Sequence, residues 1–147
     1  MTGDLLQRLV LPVASDDDAE ATARAVEPYL TDETVLSVVH VVEKAGGAPD
    51  KAGVEQREEY AEAALSLVED YFAEHPVAVE TEILYGTDVV ETVVDHAHSF
   101  DATAIAFLPR EAGILTRLLT GQTTVSMVTD TDLPVIVLPD PDGDDDE

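Results

Sequence analysis

The stretch RLVLPVASDDDAEATARAV, Arg8 to Val26, contains the change of period that decides the fold. Leu9 to Val13 is a short apolar run rich in strand formers, as expected for a strand buried on both faces. Directly after it, Ser15 with Asp18 three residues on, amid Asp16 and Asp17, approximates a capping box. It places negative charge at the positive end of a helix dipole. Ala19, Ala23, Val26 and Leu30 then recur at helical spacing, predicting a helix that ends near Tyr29. A buried strand running straight into such a helix is the first half of a parallel crossover unit.

The same alternation continues outward. Thr34 to Val42 (TVLSVVHVV) reads as a second buried strand, and Glu43 to Ala52, with Gly46, Gly47 and Pro49, as a loop. Val54, Ala61, Ala64, Leu65, Val68 and Phe72 share the stripe of a second helix that Pro76 stops. Val77, Val79, Thr81 and Ile83 alternate with Ala78, Glu80 and Glu82, the period of a half-exposed strand at a sheet edge. Gly86 is expected to turn the chain, Val90, Val93, Val94 and Ala97 form a third helical stripe, and Ala102 to Leu108 returns to a buried strand. A loop leads through Gly121 to a weak helix from Gln122 to about Asp130, before Pro134 opens the strand Val135 to Leu138. Strands and helices in strict alternation predict an α/β fold, a parallel sheet covered on both faces with right-handed crossovers.

With 147 residues, 45% of them hydrophobic, the chain can fill one core. We assign one domain over residues 1–139 and a disordered acidic tail over 140–147 (DPDGDDDE). The chain has 32 acidic against 7 basic residues and a net charge of -25, of which the tail's acids account for only six. The acidity therefore belongs to the folded surface. Such a surface repels nucleic acid and anionic lipid, which bind through Lys and Arg, so neither is expected as a partner. Lys44 and Lys51 are the only lysines. A carboxylate-covered, lysine-poor surface suits molar salt, where the screening length is about 3 Å and self-repulsion nearly vanishes.

The chain has no cysteine, which excludes disulfides, thiolate metal sites and a Cys nucleophile. Asp4 and Arg8 interrupt any leader-like apolar run, and no stretch approaches the roughly 18 apolar residues of a membrane span, so a cytoplasmic protein without membrane insertion is expected. His40 lies near the carboxyl end of a strand, the side on which α/β sheets bind ligands. Its expected state is a strand histidine satisfied by a backbone partner, with a catalytic base as the alternative. His96 and His98, two apart on a helix, face different directions, and charge at the helix carboxyl end explains them better than a metal does. His75 precedes the helix stop, and no metal is assigned. Asp16, Asp17 and Asp18 read as helix cap and solvated surface.

The segments RLVLPVASDDDAEATARAV, VVHVV and AGILTRLLTGQTTVSMVTDTDLPVIVLP together resemble the universal stress protein family, haloarchaeal type, over about Arg8 to Pro139. Gly113, Leu115, Arg117, Leu118, Leu119, Gly121 and Pro134 carry the most specific part of the resemblance. It implies a five-stranded parallel sheet of order 3-2-1-4-5, Rossmann-like, and a homodimer formed largely through the last strand, Val135, Ile136, Val137 and Leu138. Nucleotide-binding members of the family have a glycine-rich loop, G-x-x-G-x9-G-[S/T], whose backbone N–H groups close on phosphate. Here Leu108 and Glu111 stand at the first two glycine positions, Gly121 is kept, and Gln122 takes the Ser/Thr position. Pro109 has no N–H to donate, Glu111 brings a carboxylate toward a polyanion, and Ala14, after Val13, replaces the family's usual Asp.

The resemblance therefore implies a degenerate nucleotide site, comprising Val13, Ala14, His40, Leu108, Arg110, Glu111, Gly113, Arg117, Gly121, Gln122 and Thr123. Against that stand Arg110 and Arg117, two of the seven basic residues, which either hold a residual anion with Gly121, Thr123 and Thr124 or pair with surface carboxylates. The functional expectation is a non-catalytic stress-response or regulatory protein, without cofactor, that acts as a homodimer on another, unknown, protein. The alternative is a sensor that binds ATP or AMP. A hydrolase or phosphatase finds no nucleophile elbow and no P-loop lysine motif.

Overall fold

The computed structural model describes residues 5–13, 16–43, 51–108 and 132–139, with side chains from residue 55 onward in the helix that opens at Lys51 and up to Val42 in the second strand. Strand β1 is Arg8–Pro12, helix α1 Asp16–Val26 and β2 Val35–Glu43. Helix α2 spans Lys51–Tyr71, β3 Ala78–Gly86, α3 Val89–Phe100, β4 Ala104–Phe107 and β5 Val135–Val137. A turn of 3-10 helix, Glu27–Tyr29, carries α1 to the end expected from its stripe. The strands form one five-stranded sheet of order β3-β2-β1-β4-β5, every neighbouring pair parallel.

Strand parity sets the two faces. Leu9, Leu11 and Val13 of the β1 segment and Leu36 and Val38 of β2 pack with Ala19, Ala23 and Val26 of α1 and Ala64, Leu65 and Val68 of α2. On the opposite face Val10, Val39 and Val41 meet Val93 and Ala97 of α3. Residues of alternating parity are thus buried on both sides, which is why β1 reads as a continuous apolar run. Edge strand β3 behaves differently: Val79, Thr81 and Ile83 are half-buried while Ala78, Glu80 and Glu82 are exposed.

The boundaries depart from expectation in places. The loop after β2 is shorter than expected, because the strand continues to Glu43 and α2 already begins at Lys51. Gly86 ends β3, in register with Glu43, where a turn was expected. A Cβ on it would fall inside contact distance of Thr92 Oγ1, so the glycine admits a close approach of strand and helix. That hydroxyl is fixed, donating to Asp88 O at 2.6 Å, while the Asp88 carboxylate caps α3 by accepting from Glu91 N at 3.1 Å. Asp101, at φ 59°, ends α3 in the left-handed region.

Arg8 fastens that helix end to the sheet. Its Nε and Nη2 donate to Phe100 O at 3.0 and 2.6 Å, and the guanidinium lies 4.1 Å from the Phe100 ring centroid. A cation at carbonyls left over by the helix complements the dipole. The weak helix Gln122–Asp130 and the tail Asp140–Glu147 lie outside the described residues.

Candidate functional site

In this strand order the connections leave β1 and β4 in opposite directions, so the carboxyl ends of these two strands flank the point where an open α/β sheet binds ligands. Val13 and Leu108 follow directly on those strands. Val13 N donates to Val39 O at 2.9 Å, and Val13 O accepts from His40 Nδ1 at 3.0 Å. A carbonyl can only accept, so the proton of His40 sits on Nδ1. This is the backbone-satisfied strand histidine anticipated from the sequence. Tyr60 of α2 stands edge-on to it, with ring centroids 6.5 Å apart, an aromatic neighbour the sequence reading did not single out.

Leu108 is fully buried and packs in the same core cluster as Val13 and Leu138. The residue that the family resemblance sets at the loop's first glycine position is therefore a core side chain. Ala14, Arg110, Glu111, Gly113, Arg117, Gly121, Gln122 and Thr123 lie outside the described residues.

Contrary to expectation, the acidic first turn of α1 is not wholly solvated. Asp16 and Asp17 are exposed, but Asp18 is only 2% exposed. Consecutive helical residues point about 100° apart, so three in a row cannot all face solvent when one side of the helix packs on a sheet.

His96 also departs from the expected role. Rather than serving as charge at a helix end, it lies half-buried against the sheet, with Nε2 2.7 Å from Ser37 Oγ and Nδ1 4.0 Å from Glu82 Oε1. Serine, histidine and carboxylate thus occur in the order of a hydrolytic triad. Ser37, however, is 2% exposed in the middle of β2 beneath α3, so a substrate carbonyl has no route to its hydroxyl. His98 does face away, its Nε2 2.9 Å from Asp132 Oδ1. His75 Nδ1 accepts from Val77 N at 3.3 Å. Among the described residues no group of three or more His, Asp and Glu is placed to hold a metal ion, and no helix is long and apolar enough to cross a membrane.

The four residues expected at a dimer edge come together at the end of the sheet, where β5 pairs with β4 through Val135, Ile136 and Val137. Leu138 is buried, Val135 and Ile136 are half-buried, and Val137 is 56% exposed. Beside them an open apolar groove of about 420 Å³ is lined by Leu5, Leu6, Tyr29, Ile136, Val137 and Pro139. Leu5 and Tyr29 are exposed in it. Ala106 on β4 also lines it.

A five-stranded parallel sheet of this order, with α1 and α2 on one face and α3 on the other, defines a Rossmann-like α/β domain. The model of the Universal stress protein family matches residues 6–139, so the chain belongs to that family. A universal stress protein from Archaeoglobus fulgidus in complex with dAMP is 23% identical, with 92% of this chain and 100% of that one covered and a TM-score of 0.61. A family protein from Burkholderia pseudomallei is 15% identical over 94% of this chain and 99% of that one, TM-score 0.68. A universal stress protein in complex with cAMP is 19% identical over 93% and 99%, TM-score 0.65. These likenesses establish the fold. A search of curated proteins found no match.

Proposed function

We propose that this chain is a non-catalytic regulatory protein of the stress response that acts as a homodimer through protein contacts and carries a degenerate nucleotide loop. The observation that carries this reading is the contrast between the two sheet edges. β3 bears Glu80 and Glu82, exposed charges that blunt an edge, whereas β5 bears only Val135, Ile136 and Val137 beside an apolar groove. The loss of phosphate binding is supported by Leu108, whose side chain belongs to the core, and by Glu111 and Gln122 in the sequence. The buried position of Ser37 supports the absence of hydrolytic chemistry.

A second reading, an adenine-nucleotide sensor, draws on the relatives solved with dAMP and cAMP and on Arg110 and Arg117 beside Gly121. Calorimetric titration of AMP and ATP into the dialysed protein, in about 2 M KCl so that general repulsion is screened, separates the two. Heat absent up to about millimolar nucleotide, a free energy near -4 kcal/mol, supports the first reading, with Glu111→Gly as the variant expected to regain affinity. Saturable micromolar binding by the wild type makes the chain a sensor.

A further inference from the structure

Strand β3 borders the sheet on the side away from β5, and its pairing with β2 fixes which of its peptide groups are used. Ala78 N donates to Thr34 O at 3.3 Å, so in this parallel ladder the even-numbered residues turn their N–H and C=O groups to β2. Those of Val79, Thr81 and Ile83 point outward, and among the described residues no strand lies beyond them. The side chains alternate in chemistry as well as in direction. Val79 and Ile83 lie half-buried on the α2 face, whereas Glu82 approaches His96 of α3 and shares that face with Glu80, both carboxylates exposed. A cleft opens beside the strand on each face. One, of about 330 Å³, runs along α2 past Leu65 and Ser66, between Glu62 and Glu69. The other, of about 320 Å³, runs along α3 past Thr92, Asp95 and Ser99.

We infer that β3 is a docking edge for an extended segment of another protein that carries arginine or lysine at every second position and aliphatic residues between them. This deepens the proposed action through protein contacts and rests on that reading for the existence of a partner. An added strand gains affinity from main-chain hydrogen bonds and specificity from its alternate side chains. Here the aliphatic set lies beside Val79 and Ile83, and the basic set beside Glu80 and Glu82, with Asp95 on the same face. The border thus discriminates by charge. A second copy of this chain would set its own Glu80 and Glu82 against the same residues, and like charges facing each other across strands are destabilising.

The probe is the heptapeptide amide Arg-Val-Arg-Val-Arg-Val-Arg, labelled with fluorescein and titrated with the full chain by fluorescence anisotropy. About 1 M KCl screens attraction to net charge alone. Saturable binding below about millimolar is expected, and a peptide of the same composition with its arginines in one block is expected to bind about tenfold more weakly. Valine nitrogens and arginine nitrogens are then methylated in separate peptides. A strand turns only one of these sets to its neighbour, so one version is expected to lose about tenfold and the other little. Glu80→Lys with Glu82→Lys, both at exposed positions, is expected to weaken binding about tenfold, two ion pairs at about two- to fivefold each. No saturation up to about millimolar, equal affinity for the block peptide, equal effects of the two methylations or undiminished binding by the double variant overturns the docking edge. So does a change in self-association of the unliganded protein when both glutamates are replaced, which would seat a second copy there. The same sedimentation runs report the β5 pair, so loss of the edge and loss of that pair are read separately.

Discussion

Val137→Asp tests the proposed pairing through β5 without touching the core of one chain, because Val137 points away from the sheet interior and is 56% exposed. Fully burying a valine side chain stabilises by about 1.5–3 kcal/mol, so the area still uncovered is worth about 1 kcal/mol per copy, or about 2 kcal/mol in a dimer. Burying an aspartate carboxylate in that place adds a desolvation cost of at least about 1 kcal/mol on each side. The sum, about 4 kcal/mol, weakens association about a thousandfold. Sedimentation velocity in about 2 M KCl, where surface repulsion is screened, should find a micromolar dimer for the wild type and a folded monomer for Val137→Asp, whose melting temperature falls only by the stabilisation that dimerisation adds. A wild type already monomeric at about 100 µM, an association energy weaker than about -5.5 kcal/mol, would refute the reasoning, as would a variant that sediments as the wild type does. Ile136→Asp should also dissociate the pair but at a further cost in melting temperature, because Ile136 packs against the core.

Arg8→Ala removes two charge-assisted hydrogen bonds and the contact over Phe100 and should cost about 2–4 kcal/mol in thermal unfolding, with Arg8→Lys recovering less than half because it lacks the fork. Gly86→Ala should cost about 1–3 kcal/mol by overpacking against Thr92, most of it absent when Thr92→Ala is the background. The hydrogen bond from Tyr71 to Glu27 at 2.6 Å, followed by burial, raises the Tyr71 pKa above its ordinary 10.0. Its stabilisation is therefore fully present below about pH 10 and lost as pH rises through the raised value, so melting curves of Tyr71→Phe should vary less with alkaline pH than those of the wild type. The melting temperature should climb between about 0.1 M and about 3 M KCl, and a flat response would remove the case for a salt-adapted surface.

The sheet was readable from the sequence because its signals are local. Leu9 to Val13 can only be a strand buried on both faces, and the alternation from Val77 to Ile83 marks an edge, as the half-buried and exposed residues of β3 bear out. Gly86 was misread because a turn glycine and a close-approach glycine look alike in sequence, and only the opposed Thr92 hydroxyl distinguishes them. Asp18 and His96 were misread for a related reason. A polar residue on a helix takes its role from the rotation that packing imposes, and neighbouring carboxylates or a nearby helix end suggested solvent where the structure has a buried Asp18 and a half-buried His96 turned to the sheet. Ser37 gave no signal, being one small residue in an apolar run, and its bond to His96 spans 59 positions. His40 was read correctly because its strand already fixed which backbone groups lay in reach.

The unequal edges also bear on how far assembly could proceed. A sheet with two receptive edges can add chains from both sides and grow into a ribbon without limit. Here one border presents carboxylates and the other presents valine and isoleucine, so a molecule paired through β5, as proposed, would offer a third only its charged border. Under the proposed pairing through β5, growth would end at a closed pair. Where salt screens charge, as at about 1 M, repulsion no longer keeps proteins apart at long range, and such a stop would have to come from which residues line each border.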